Sequence, residues 1–185
     1  MGCAMARPRS FDRDAALEQA MLLFWERGYD ETSIGDLTAA MGIAAPSLYA
    51  AFGDKRRLFQ EAAELYERQP GAPLVTGLRE PTARAAIARV LELAAHEYTE
   101  PTHPRGCFVN AEPLLEDRRA AGRAALLVRL NEAQVAGEFP DDTDPSALAD
   151  YIQAVLAGMS SQARDGGTRE ALEAIATVAL RAFPR

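Results

Sequence analysis

Residues 32–55, TSIGDLTAAMGIAAPSLYAAFGDK, constrain this 185-residue chain more than any other stretch. Ser33 followed three residues later by Asp36 is a capping signal that opens a helix. Ile34, Leu37, Ala40 and Met41 then fall on one face of it. Gly42 stands where a helix-ending residue needs positive φ. Pro46 suits the first turn of the next helix, where its missing N–H costs nothing. Leu48 and Phe52 share a face of that helix, while Ser47 and Tyr49 point elsewhere. Two helices of roughly two turns joined by a short glycine turn predict a helix-turn-helix, its second helix at about 33–41 and its recognition helix at about 45–52.

The rest of the chain reads as helices around that unit. Leu17, Ala20, Met21 and Phe24 give an amphipathic first helix from about Asp12 to Arg27. Trp25 reads as packing rather than a binding platform. Asp54 caps a fourth helix carrying Leu58, Phe59, Ala62, Leu65 and Tyr66, which ends before Gln69-Pro70-Gly71-Ala72-Pro73. Thr82 caps a fifth, with Ile87, Val90, Leu91, Ala94 and Tyr98 in one stripe. A short helix from about Arg105 to Glu112 stops at Pro113, and a longer one runs from about Glu116 to Ala136. Asp144-Pro145 and Thr168 open the last two helices, which have the clearest 3.6-residue periodicity of the body. Nothing alternates like a strand. The expectation is an all-α fold of about nine helices, with an N-terminal domain over 1–66 and a helical C-terminal domain over 67–185.

Composition narrows the function. The net charge of −7 argues against indiscriminate coating of nucleic acid. Residues 1–57 hold seven Arg or Lys against eight Asp or Glu, so most of the acidity lies beyond them. Arg7 and Arg9 on a Pro8-containing arm, and Lys55, Arg56 and Arg57 after the two short helices, form two basic spots suited to phosphates. Cys3 and Cys107 form no CxxC pair and join no His/Cys cluster, so no metal and no cofactor is expected. No apolar run reaches the ~18 residues of a membrane span, and the start MGCAMARPRSF lacks the apolar core of a secretory leader, whether Met1 or Met5 begins it. The expected setting is the cytoplasm, with no membrane partner.

An enzyme is not expected. There is no glycine-rich phosphate loop and no nucleophile–histidine–carboxylate ordering, and the carboxylates Glu112, Glu116 and Asp117 are followed by Arg118 and Arg119, which suit a solvated ion-pair face.

From Gly42 to Phe59 the chain resembles the tetracycline-repressor (TetR) family of bacterial transcription regulators: a glycine and an aliphatic residue, then Ser47-Leu48-Tyr49, Phe52, Lys55 and Leu58-Phe59 at the family's spacings. Phe24, Gly28-Tyr29 and Thr32-Ser33-Ile34 match upstream. The resemblance is dense over about residues 10–66 and beyond that is a layout of helices. It implies a homodimer whose paired helix-turn-helix units read a palindromic double-stranded DNA operator, an unidentified small-molecule effector bound by the C-terminal half, and a four-helix dimer interface from the last two helices. Carried onto this sequence, Thr32 and Ser33 would hold a phosphate at the start of the second helix, and Ala45, Pro46 and Ser47 would face base edges. Tyr49 and Lys55 would touch the DNA backbone. Tyr151, Val155, Met159, Leu172, Ile175 and Ala179 are the expected interface residues. Ala44 departs from the family's usual Ser or Thr cap, and no Arg, Asn or Gln lies on the recognition helix, so shape and apolar contact must carry much of the specificity. The same poverty keeps open a protein-interaction module that has lost DNA binding.

Arg105-Gly106-Cys107-Phe108-Val109-Asn110-Ala111 resembles a segment of one branch of the family in which a cysteine senses electrophiles or oxidants. A thiol near a helix start and close to Arg105 would gain thiolate character; the alternative is a small apolar residue of a pocket wall. By position, His103, Cys107, Phe108, Asn110 and Glu112 are the candidate effector contacts, whereas His96 reads as a solvated helix residue.

Overall fold

The computed structural model describes residues 11–69 and 72–184. The Arg7–Arg9 arm, Cys3, both candidate starts and Pro70-Gly71 lie outside the described residues. Among those described there are ten α-helical segments, one 3-10 turn and no strand. They divide into two compact units, with the division after Leu65.

In the first unit, α1 (Arg13–Arg27) starts at Asp12, whose carboxylate accepts from the amides of Asp14 and Ala15 at 3.0 and 3.1 Å. Its buried stripe of Leu17, Ala20, Met21, Phe24 and Trp25 faces the core. Helix α2 (Ile34–Met41) opens with a complete capping box: the Ser33 hydroxyl accepts from the Asp36 amide at 3.1 Å, and the Asp36 carboxylate accepts from the Ser33 amide at 2.9 Å. Those hydrogen bonds hold the Asp36 carboxyl below the usual range, Ser33 being the main cause. Gly42, at φ 67°, is left-handed and turns the chain into α3 (Ala45–Phe52). Leu48 and Phe52 are buried and fix α3 against the core; burying each contributes about 2 kcal/mol. Asp54 caps α4 (Lys55–Arg68), accepting from the Arg57 amide at 2.8 Å. Phe59 closes the core edge-on to Phe24 and Tyr29, with ring centroids 5.2 and 5.0 Å away.

The second unit holds the end of α4 and then α5 (Pro73–Gly77), α6 (Ala83–Glu97), α7 (Phe108–Ala111), a 3-10 turn (Pro113–Leu115), α8 (Glu116–Val135), α9 (Pro145–Arg164) and α10 (Arg169–Ala182). Thr82, Asp144 and Thr168 each accept an amide of the turn they cap. Ile87, Val90 and Leu91 of α6 are buried in one core with Leu126 and Leu130 of α8, Ile152 and Met159 of α9 and Leu172 of α10.

Two sequence expectations change here. Helix α5 is new: Pro73 takes a first-turn position just past the break, in a run too short to show periodicity. The helix expected from Arg105 begins only at Phe108. Gly106, at φ 81°, presses the chain onto α9 so closely that a Cβ there would lie 2.8 Å from the Ser160 carbonyl oxygen. No helix can start until that contact is passed.

Candidate nucleic-acid interface and cavity

The edge of α3 that follows Gly42 is open. Ala44, Pro46, Tyr49 and Ala50 are exposed, with Ala45 and Ser47 half-buried. Tyr49 keeps 49% of its surface accessible and is the exposed large hydrophobic side chain among the described residues of the first unit. Ala44 starts α3 without a side-chain cap, which leaves the first-turn amides there free of any side-chain acceptor from it. Lys55 stands one turn beyond, its Nζ 4.2 Å from the centre of the Tyr29 ring. The aromatic face steadies the ammonium without neutralising it. Arg57 is drawn toward Asp54 at 3.9 Å.

Thr32 does not fit the phosphate role set for it. It is fully buried and its hydroxyl donates to the Gly28 carbonyl at 2.6 Å, holding the turn between α1 and α2. Ser33 is exposed, with its hydroxyl engaged by Asp36, so the exposed start of α2 offers backbone amides more than hydroxyls.

On the second unit, Tyr151, Val155, Ala174, Ile175, Val178 and Ala179 line a shallow apolar depression across α9 and α10. Val178, 63% exposed, was missed because it falls beside the periodic stripe. Met159 and Leu172, expected at an interface, are fully buried inside the unit. Periodicity marks the buried face of a helix and does not say whether its own chain or another covers it.

A cavity of about 520 Å³ lies within the same unit. Leu74, Val75 and Leu78 form one wall, and Ala121, Gly122 and Ala125 of α8 another. The room exists because those α8 residues are small: a Cβ at Gly122 would already stand 3.0 Å from a Leu74 methyl. Tyr66, Tyr98, Cys107 and Asn110 bring polar atoms to one side. Glu67 and Arg118 form an ion pair in the lining. Arg119 donates to the carbonyls of Val109, Glu112 and Pro113 at 2.9, 2.6 and 3.2 Å.

Of the five residues expected to touch an effector, Cys107 and Asn110 line this cavity. The other three have other work. Phe108 is fully buried edge-on to Tyr66, with ring centroids 5.8 Å apart. Glu112 caps the 3-10 turn through the Leu114 amide at 3.2 Å. His103 bonds the Pro104 carbonyl at 2.9 Å, and its Nε2 lies 3.1 Å from a Glu97 carboxylate oxygen. Tyr66, Tyr98, Arg118 and Arg119 were missed, the tyrosines because they sit on apolar stripes and the arginines because they looked solvated.

The Cys107 thiol is not the activated group that its neighbours in sequence suggest. Burial pushes its pKa up and outweighs the hydrogen bonds it receives from Tyr66, the Asn110 and Val109 amides and Tyr98. Arg105 points away, donating to the Ala163 carbonyl at 2.7 Å and to that of Gly167. Burial, followed by the adjacent Cys107, also raises the Tyr66 and Tyr98 phenols well above their usual range. Among the described residues no three His, Cys, Asp or Glu side chains converge as a metal site, and no helix is long and apolar enough to cross a membrane.

An exposed helix-turn-helix edge with a lysine beside it, followed by a separate helical unit with an apolar cavity, defines a DNA-binding transcription regulator. The family model for bacterial regulatory proteins of the tetR family matches residues 16–62. The chain is 36% identical to the transcriptional repressor ComR of Escherichia coli K12, over 96% of this chain and 91% of that protein. It is 32% identical to the repressor BdcR of the same organism, over 94% and 89%. A cysteine variant of the TetR-family regulator CifR, solved with a 26-base-pair double-stranded operator, is 39% identical and superposes with a TM-score of 0.91 over 97% of this chain and all of that one. The chain belongs to the tetR family of bacterial regulatory proteins, whose members regulate transcription and are not enzymes.

Proposed function

We propose that the chain represses transcription in the cytoplasm by binding a palindromic double-stranded operator as a homodimer, and that a small organic molecule in the cavity of the second unit releases it. The exposed N-terminal edge of α3 beside Lys55 carries the reading. In a major groove, Ala45, Pro46 and Ser47 would meet base edges, Ser47 through its hydroxyl and the other two through apolar contact with thymine methyl groups. Tyr49, Lys55 and the first amides of α2 would hold phosphates. The depression around Tyr151, Val155, Ile175 and Val178 would be covered by its two-fold mate, which sets the half-site spacing.

A mobility shift with duplex from around the protein's own gene tests this. The expected result is a complex that weakens steeply with salt and is competed only by DNA carrying the palindrome. Failure to bind any such duplex at low salt would leave the protein-interaction reading, which the scarcity of polar side chains on the α3 edge also fits.

A further inference from the structure

The chemistry of the cavity narrows what it can hold. We propose that it binds an uncharged, mainly hydrocarbon molecule carrying one carbonyl oxygen, and that the Tyr66 and Tyr98 hydroxyls hold that oxygen. This rests on the preceding reading of the cavity as the effector site and deepens it to a ligand class.

The volume of about 520 Å³ suits a small organic molecule. Charge is unwelcome. Glu67 and Arg118 already satisfy one another, and the Arg119 guanidinium is spread over three backbone carbonyls. A carboxylate would have to displace Glu67 from Arg118, exchanging one ion pair for another and gaining little for its own desolvation. A cation would have to compete with Arg118 for Glu67.

The polar corner selects for an acceptor. Tyr66 and Tyr98 are 8% and 4% exposed and both hydrogen-bond Cys107. Their raised pKa values keep them neutral O–H donors. Sulfur is a weak acceptor. A carbonyl oxygen has two lone pairs and accepts more strongly, so each phenol gains by leaving the thiol for it. A pure hydrocarbon fills the same walls and gains nothing at this corner. No covalent step is involved, and the thiol stays protonated.

Calorimetric titration of the full chain with acetophenone, ethylbenzene and benzoate tests the assignment. Acetophenone should bind most tightly. The double variant Tyr66→Phe with Tyr98→Phe should weaken it roughly tenfold to a hundredfold, to the level of ethylbenzene, whose own binding stays unchanged. Ala125→Leu, on the α8 wall away from the phenols, should abolish both neutral probes, and with single Tyr98→Phe it keeps the test decisive if the double variant does not fold. Benzoate binding as tightly as acetophenone, an unchanged double variant or no binding of any probe overturns the proposal. Operator binding measured on the same preparations separates the two readings. Ketone binding without operator binding removes the effector role and upholds the ligand class, whereas operator binding without ketone binding removes the ligand class and leaves the operator-binding reading standing.

Discussion

Removing the charge of Lys55 separates docking on DNA from local packing. Lys55 opens α4, and its Nζ lies 4.2 Å from the Tyr29 ring centre. Lys55→Gln keeps hydrogen-bonding capacity and drops the charge. Each phosphate neutralised by a cation contributes about 0.9 to the slope of log affinity against log salt. A two-fold dimer carries the residue twice, so the slope should flatten by about 1.8. Between about 50 and 200 mM salt, about 0.6 log units, the advantage of wild type over variant should therefore shrink about tenfold. Fluorescence anisotropy on a palindromic duplex reads this directly. Base preference should not change, because a phosphate contact carries no sequence information, and Lys55→Arg should restore the slope. The lost cation–π contact is worth about 0.5–1 kcal/mol, so the melting temperature should move little. An unchanged salt slope with reduced affinity would refute the reasoning, since Lys55 would then act only through Tyr29.

Thr32→Val should destabilise the protein by about 1–2 kcal/mol in urea melts, through loss of the hydrogen bond to Gly28, and leave the salt slope alone; a changed slope would restore Thr32 as a phosphate contact. Val178→Glu places a charge on the α9–α10 depression and should give a monomer in sedimentation velocity with operator affinity reduced at least tenfold; an intact dimer would move the interface elsewhere. Stability should fall at alkaline pH. The folded pKa values of Cys107, Tyr66 and Tyr98 are raised, so their contribution is complete below the ordinary thiol range of about 8.5 and is lost as pH climbs through it and the phenol range near about 10. Urea melts from about pH 7 to 11 should show Cys107→Ala flattening the early part of that fall and Tyr98→Phe the later part; a parallel wild-type curve would count against burial as the cause.

Most of the fold is legible because local signals agree with one another. Ser33 with Asp36, Gly42, Asp54, Thr82, Asp144 and Thr168 each satisfy or end a helix by chemistry within a few residues, and each does so in the folded chain. Helix α5 was hidden because five residues cannot display a period. The exposed edge of α3 was legible for a related reason: Ala45, Pro46, Ser47 and Tyr49 follow one glycine turn on one helix. Thr32 fails because a threonine before a helix can serve either a ligand or the preceding turn, and only packing decides between them.

The cavity shows where sequence neighbours mislead. Two residues from Cys107, Arg105 suggests a cation that would ionise the thiol. The carbonyls of Ala163 and Gly167, at and just past the end of α9, are better acceptors than a neutral sulfur, and the helix dipole adds to their pull on a guanidinium. Gly106 then brings the backbone against α9, and the Cys107 amide donates to the Ser160 hydroxyl at 2.8 Å. Three successive residues are thus pinned to a helix more than fifty residues away in sequence, and the thiol is turned into a buried corner with two phenols that come from other helices. Desolvation dominates there, because the arginine that could offset it is spent on backbone carbonyls. The chemistry of Cys107 is therefore set by the end of α9 and Tyr66, both more than forty residues away in the sequence, and by Tyr98, rather than by its neighbour Arg105, and the same placement that quiets the thiol leaves two neutral phenol donors at the cavity wall.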